Sequence, residues 1–201
     1  IGGICAANKL ENDILTEQEL VDLACKIEGH PDNTTPALIG SFVIASYINQ
    51  NSVLYKKIEW PREWKVCIAH PHFKLSTKES RIALPDKISR EDAIVNLSNT
   101  ALLTYAILTK DLTIFKKSLT DKVHEPYRNK FIPGYQDISS ALQEIGVVGL
   151  TLSGAGPSLC FLHTFNKTEK IAFILTEIWH KYSIQYNLLT PDIDTSGVQY
   201  L

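Results

Sequence analysis

The sequence predicts an α+β fold in two parts, and three observations support this prediction. After residue 60 the order of predicted elements is β-α-β-β-α-β once extra helices are set aside, which is the split βαβ or ferredoxin-like arrangement. Helix starts are marked by capping patterns, namely Thr16 with Glu19 and Ser89 with Asp92. The 201 residues are 44% hydrophobic and 21% charged, which is ordinary for a globular protein with a sizeable core.

The first part, residues 1–60, is predicted to contain two helices and a hairpin. Residues 1–10 are rich in small residues and indicate a tightly packed helix. The helix after Thr16 carries an apolar stripe and ends near Gly29. This stripe is formed by Leu20, Val21, Ala24, Cys25 and Ile27. Residues 32–36 are predicted to form a turn, and residues 42–48 a strand that leads into a hairpin turn at 50–52.

The second part, residues 61–201, supplies the ferredoxin-like order of elements. Strands are predicted at 64–69, 148–152, 159–163, 184–189 and 198–201. Helices are predicted after Ser89, over residues 138–145, and from Asn166 with Glu169 onward. The apolar stripe of the long helix after Ser89 includes Ile94, Leu97, Leu102, Ala106 and Leu108.

Composition narrows the classes of function. The formal net charge is −2, so no basic field favours nucleic acid or an anionic membrane. No apolar run has the length that spans a bilayer. The four cysteines are scattered without a C-x-x-C pair, so we expect neither a zinc site nor a disulfide framework, and a reducing cytoplasm fits. The sequence leaves the oligomeric state open, a homodimer included.

Four segments could carry chemistry. The first is Glu28-Gly29-His30-Pro31-Asp32-Asn33, where a carboxylate could bind Mg²⁺ and an Asp could take a hydroxyl proton. The alternative is a helix end followed by an Asx turn. The others are residues 75–81, 124–128 and 152–158, which offer Arg81, Arg128 and a Gly-rich connection around Gly154. Two Arg side chains could hold one anion, or could be solvated surface residues.

In this order the segments resemble the homoserine kinases of the GHMP small-molecule kinase superfamily. The matching motifs span nearly the whole chain. They are A-A-N-x-L at 6–10, E-G-H-P-D-N at 28–33, P-A-L at 36–38, L-S-T-x-x-x-R at 75–81, A-L-P at 83–85, H-E-P-Y-R at 124–128, I-P-G at 132–134 and S-G-A-G-P at 153–157. The resemblance implies the GHMP kinase fold, in which residues 1–60 are the remainder of an S5-like N-terminal ATP-binding domain and residues 61–201 are the ferredoxin-like C-terminal domain.

The resemblance also implies an activity and its residues. The activity is ATP- and Mg²⁺-dependent phosphorylation of the L-homoserine hydroxyl in threonine biosynthesis. Glu28 would bind the metal, and Asp32 with Asn33 would act as a base or orient the hydroxyl. The substrate-binding residues would be His30, Thr77, Arg81, Arg128 and Gly154.

One departure from the family pattern concerns ATP. The G-L-G-S-S-type phosphate loop of the family is not found in this chain and is expected immediately before Ile1. Two other functions are weighed against the homoserine kinase hypothesis. One is a different GHMP kinase, against which the Arg81 and Arg128 pair argues because two guanidinium groups suit an amino-acid carboxylate. The other is a non-catalytic domain that binds an amino acid.

Overall fold

The computed structural model describes residues 1–164 and 167–200, and these fall into two compact units. Unit 1 comprises Ile1–Trp60 and a C-terminal segment that begins at Ile193, and unit 2 comprises Pro61–Asp192. The C-terminal segment thus lies in unit 1, whereas the sequence placed it in the second part. The assignment of 1–60 and 61–201 to the two GHMP kinase domains stays a prediction. Within the described residues, no helix is both long and apolar enough to cross a membrane.

Unit 1 consists of helices packed on a small sheet. Its helices are α1 (Gly2–Leu10), α2 (Glu17–Glu28) and α3 (Pro31–Ile39), and its antiparallel strands are β1 (Phe42–Asn49) and β2 (Ser52–Ile58). The hairpin is the one that the sequence predicts. The core of the unit is small and apolar, and it is formed by Cys5, Leu20, Val21, Cys25, Leu38, Ile39 and Val53.

Helix α2 begins and ends as predicted. The Thr16 side chain accepts a hydrogen bond from the Glu19 N–H, and the Glu19 carboxylate accepts one from the Thr16 N–H at 2.8 Å, which completes a capping box. Gly29 ends the helix in the left-handed region, at φ +93°. The predicted stripe is buried except for Ile27, which is 70% exposed because it lies beyond the edge of the buried face.

Helix α3 corrects the predicted turn at residues 32–36. Pro31 occupies the first helical position, where its missing N–H costs nothing. Pro36 lies inside the helix, yet burial of Thr34, Thr35 and the two apolar residues at 38–39 compensates for the lost backbone bond. Turn-forming residues therefore fold as a helix here, because tertiary packing outweighs local propensity.

The C-terminal segment closes unit 1 through backbone contacts. The Ser41 N–H donates to the Asp194 carbonyl at 2.7 Å, and the Val198 N–H donates to the Leu38 carbonyl at 3.0 Å. Lys57 Nζ donates to the Thr195 carbonyl at 2.7 Å. A Cβ on Gly197 would lie 2.2 Å from the Leu38 carbonyl oxygen, so the close approach requires glycine. Residues 198–200 form no strand, contrary to the prediction, and Leu201 lies outside the described residues.

Unit 2 contains the larger sheet. Its strands are β3 (Lys65–Pro71), β4 (Gly149–Leu152), β5 (Leu159–His163) and β6 (Tyr186–Leu189). Its helices are α4 (Thr77–Ile82), α5 (Arg90–Thr109), α6 (Leu112–Ser118), α7 (Glu125–Arg128), α8 (Tyr135–Glu144) and α9 (Thr168–His180), with a 3₁₀ turn at Asn129–Phe131. The predicted capping residue Asn166 lies outside the described residues.

The sheet of unit 2 has the predicted ferredoxin-like topology. Its strand order is β4-β5-β3-β6, and all neighbouring strands are antiparallel. Helices α8 and α9 supply most of the apolar side chains that cover it. Trp179 is fully buried among them, and its Nε1–H donates to the Pro133 carbonyl at 3.0 Å. This bond ties α9 to the I-P-G segment that precedes α8.

Helix α5 exposes much of the predicted apolar stripe, although such a stripe usually faces a core. Ala106 is buried, but Leu97 and Leu108 are 73% and 61% exposed, and Ile94 and Leu102 are also exposed. The prediction fails because apolar residues surround most of this helix, so periodicity does not select one face.

Candidate functional site

The predicted site residues of unit 1 lie together at the junction of α2 and α3. Glu28 is the last residue of α2, Gly29 reverses the chain, and His30 in an extended conformation precedes α3. The His30 Nε2 atom lies 3.8 Å from a Glu28 carboxylate oxygen, and its Nδ1 atom contacts the Asp32 carboxylate. The histidine therefore lies between two carboxylates that come from its immediate neighbours in sequence.

Both carboxylates are accessible to a ligand. The Glu28 side chain is 51% exposed and the Asp32 side chain is 72% exposed. The described residues contain no group of three His, Cys, Asp or Glu side chains placed to hold a metal. Magnesium in phosphoryl-transfer sites usually binds one or two carboxylates and completes its shell with phosphates and water. An exposed carboxylate such as that of Glu28 fits this requirement.

Helix α3 determines where Asp32 and Asn33 lie. Both residues are in its first turn, where the helix dipole stabilises a negative charge. The Asn33 N–H donates to the Asp32 carboxylate at 3.0 Å. Asn33 is exposed, so its amide is available to a ligand. The predicted turn would have left these two side chains in variable positions, whereas the helix fixes them relative to each other.

In unit 2 the L-S-T-x-x-x-R motif forms the short helix α4. Ser76 and Glu79 form a capping box, in which the Glu79 carboxylate accepts the Ser76 N–H at 2.9 Å. Hydrogen bonds from the Ser76 side chain and backbone lower the pKa of Glu79. Arg81 lies in the last turn and is exposed. The Thr77 side chain lies outside what the structure describes, so its predicted role stays a prediction.

Arg128 ends the four-residue helix α7 and is half-buried. Its Nε–H donates to the backbone carbonyl of Ser80 at 3.4 Å. Since Ser80 directly precedes Arg81, this bond brings the second arginine to the backbone of the helix that carries the first. Sequence separation does not suggest this contact, because the two residues are 48 positions apart.

The Gly-rich connection between β4 and β5 meets the same helix. Gly154 and Gly156 adopt left-handed conformations, with φ +60° and +82°. The Ser153 N–H donates to the Ser158 carbonyl at 2.8 Å and closes the base of the loop. The Ser80 hydroxyl donates to the Ala155 carbonyl at 3.0 Å. Three of the four predicted segments are therefore joined in unit 2.

Asp121 is a residue of this region that sequence reasoning missed. Its carboxylate accepts the N–H groups of Val123, His124 and Glu125, and also the Asn96 side-chain amide. Burial alone would raise the pKa of Asp121, but these hydrogen bonds outweigh it and lower the pKa. Asp121 therefore anchors the start of α7 and with it the H-E-P-Y-R motif. A signal existed in the sequence, because an Asp shortly before Glu-Pro is typical of a capped helix start.

Glu125 of the same motif is partly buried. It accepts a hydrogen bond from the Tyr135 hydroxyl. Burial raises the pKa of Glu125, and the Tyr135 bond offsets this in part. Both side chains line a cavity of about 330 Å³. None of the predicted substrate-binding residues is among the described residues that line this cavity.

Comparison with known proteins bears directly on this arrangement. The family model of the GHMP kinases C terminal matches residues 103–181. Homoserine kinase of Aquifex aeolicus is 37% identical over 183 residues, which cover 91% of this chain and 61% of that protein. Homoserine kinase of Caldicellulosiruptor saccharolyticus is 38% identical over 201 residues, which cover 98% of this chain and 64% of that protein.

A solved structure agrees with the sequence relatives. The crystal structure of homoserine kinase from Cytophaga hutchinsonii superposes with a TM-score of 0.87 at 28% identity, covering 97% of this chain and 64% of that one. The chain belongs to the homoserine kinase family of the GHMP kinases. The predicted GHMP kinase fold and the family resemblance are thereby confirmed. The chain spans less than two-thirds of the length of these relatives.

Proposed function

We propose that this chain is part of an enzyme that transfers the γ-phosphoryl group of ATP to the hydroxyl of L-homoserine, giving O-phospho-L-homoserine for threonine biosynthesis in the cytoplasm. The observation that carries the proposal is the junction in unit 2, where Arg128, α4 and the Gly-rich loop meet at Ser80. The motifs that meet there are those that the resemblance assigns to amino-acid binding. The identity of 37–38% to proteins named homoserine kinase supports the same substrate.

Arg81 and Arg128 are proposed to bind the homoserine carboxylate. A guanidinium group offers a planar fork of donors that matches a carboxylate. The bond to the Ser80 carbonyl uses the Nε–H of Arg128 and not its two terminal nitrogens, which are the donors proposed to bind the carboxylate. Thr77 and Gly154 are proposed as further homoserine-binding residues of unit 2, and the exposed backbone at Gly154 allows close approach. For His30, in unit 1, we also propose a role in homoserine binding.

Asp32 and Asn33 are proposed to orient the hydroxyl that attacks the phosphoryl group, with Asp32 as the candidate base. Phosphoryl transfer depends mainly on positioning and electrostatics, so a fixed carboxylate and amide are suited to this role. Glu28 is proposed to bind Mg²⁺. A bound Mg²⁺ would neutralise charge on the phosphate oxygens during transfer.

A coupled assay of ADP release tests the function. The full-length protein and residues 1–201 are assayed in parallel with Mg-ATP and either L-homoserine or mevalonate. We expect turnover with L-homoserine by the full-length protein. Turnover with mevalonate alone would identify a different GHMP kinase. Calorimetric binding of L-homoserine without any ATP-dependent product would indicate a binding domain.

A homodimer is part of the proposal. Large apolar side chains exposed along α5, among them Leu97 and Leu108, offer a surface that a second copy could cover. The acidic first turn of this helix and Lys110 at its end would face each other in an antiparallel pair. Light scattering on the full-length protein and on a Leu97→Glu variant tests this: a monomeric mass for the unmodified protein would rule it out.

A further inference from the structure

Ser80 is the polar residue through which three segments of unit 2 meet. It lies in α4 between Thr77 and Arg81, and it is fully buried although its neighbours in the helix are mostly exposed. A buried hydroxyl is costly unless it is hydrogen-bonded. Here the bond reaches the Gly-rich loop, 75 residues away, rather than the preceding turn of the same helix.

The hydroxyl of Ser80 holds the loop at a specific point. It donates to the carbonyl of Ala155, which lies between the two left-handed glycines, Gly154 and Gly156. Glycine permits many backbone conformations, so a loop with two of them needs an outside contact to keep one. The Ser153–Ser158 bond closes the base of the loop, whereas the Ser80 bond fixes its tip.

The backbone carbonyl of Ser80 holds the arginine. It accepts the Nε–H of Arg128 at 3.4 Å and so limits the rotation of the guanidinium plane. The side chain and the backbone carbonyl of Ser80 thus connect the Gly-rich loop to Arg128. A shift of α4 relative to the loop would change the spacing between Arg128 and Gly154.

We propose that Ser80 is a positioning residue, which sets the spacing between Arg128 and the Gly-rich loop and thereby the shape of the homoserine carboxylate pocket. The proposal rests on the proposed function in one respect only, the identity of the ligand. The positioning of the loop itself is a property of the free protein and can be measured without any substrate.

Ser118 provides a matched control. It is also a buried serine of unit 2, and its hydroxyl donates to the Phe115 carbonyl at 2.9 Å within α6. Ser118→Ala therefore removes one buried hydroxyl and one hydrogen bond, as Ser80→Ala does, but leaves α4 and the loop intact. Ser80→Cys, with a weak donor of similar size, is an intermediate variant that also serves if Ser80→Ala does not fold.

The test combines hydrogen exchange and kinetics on the full-length protein. In Ser80→Ala we expect faster amide exchange over residues 153–158 and a homoserine KM raised about 10-fold, with the ATP KM unchanged, because small displacements weaken oriented binding. Ser80→Cys should give an exchange rate and a homoserine KM between those of the unmodified protein and Ser80→Ala. Ser118→Ala should leave both the exchange rate and the homoserine KM unchanged. If the rate of amide exchange over residues 153–158 were the same in Ser80→Ala and in Ser118→Ala, the proposal would be overturned. Absence of homoserine turnover in the unmodified protein would reject the proposed function, and exchange would still decide the role of Ser80.

Discussion

The two groups of predicted site residues are built in different ways. In unit 1, His30 contacts Glu28 and Asp32, each only two residues away, at a junction between two helices. In unit 2, Ser80 contacts Ala155 and Arg128, which are 75 and 48 residues away. The first group is a product of local chain geometry. The second exists only when the sheet and helices of unit 2 have assembled.

This difference has consequences for substitutions. The carboxylates of unit 1 are exposed, and surface substitutions away from special features usually change stability little. Changes there should alter chemistry while leaving the fold intact. The residues of unit 2 share hydrogen bonds, and the effects of substitutions in a shared network are not additive. Changes there should alter binding and stability together.

The largest expected effect is that of Arg128→Ala. Truncating a guanidinium that pairs with a buried carboxylate costs about 2–5 kcal/mol, so we expect kcat/KM for homoserine to fall by about 30-fold or more. Arg128→Lys should recover little of this, because an ammonium group cannot form the bidentate fork. Steady-state kinetics would measure both variants. A fall of less than about threefold in Arg128→Ala would argue that this residue does not bind the carboxylate.

Asp32→Asn tests the local group of unit 1. Loss of a base or of an orienting carboxylate should lower kcat by about 10²-fold or more. Stability should change by no more than about 0.5 kcal/mol, since the side chain is exposed. Turnover and urea denaturation would be measured on the same preparation. If instead the variant lost several kcal/mol with kcat unchanged, the contrast between the two groups would be wrong.

Asp121→Asn tests how unit 2 positions α7. Asn keeps one acceptor oxygen but replaces the other by an NH₂ group, which leaves one of the backbone N–H donors at the start of α7 without its acceptor and should reduce stability at neutral pH by about 1–2 kcal/mol. Because folding lowers the pKa of Asp121, its contribution is complete above the usual pKa of an aspartate and is lost as pH falls through the lower value in the folded protein. The variant should therefore show a flatter decline of stability at acid pH. Denaturation at a series of pH values measures this, and an unchanged acid limb would contradict it.

The smallest effect separates two capping boxes of the same design. Thr16→Ala in unit 1 and Ser76→Ala in unit 2 should each cost about 1 kcal/mol, because each removes an N-cap oxygen. Only Ser76→Ala should also raise the homoserine KM, by about two- to fivefold, since α4 carries Arg81. Equal KM values in the two variants would show that the cap of α4 does not affect binding.

The sequence predicts well those features that depend on neighbouring residues. The helix caps at Thr16 and Ser89, the end of α2 at Gly29 and the hairpin were all predicted correctly, because each is set by a few adjacent side chains. The strand order of unit 2 was also predicted, since the ferredoxin-like arrangement follows from the order of the elements. The predicted role of each site residue still awaits the experiments above.

Features that depend on packing were missed. Helix α3 was predicted as a turn because Pro, Asp and Asn favour turns, and burial of Thr35 and Leu38 is not visible in local sequence. The exposure of the predicted apolar stripe of α5 was not foreseen, because apolar residues surround most of the helix and periodicity selects no buried face. Ser80 and Asp121 were overlooked because Ser and Asp are common on surfaces, and only the folded structure shows what their oxygens contact.

The return of the C-terminal segment to unit 1 has a consequence for synthesis on the ribosome. Unit 2 is an insertion within unit 1, since residues on both sides of it belong to unit 1. Residues 1–60 leave the ribosome before unit 2 does, and the segment that contacts Leu38 and Ser41 is made after unit 2. All of unit 2 is therefore synthesised before unit 1 has its C-terminal segment, so unit 2 can start to fold while unit 1 is still incomplete. A translation arrest before residue 193 would leave unit 1 without the C-terminal segment that closes it.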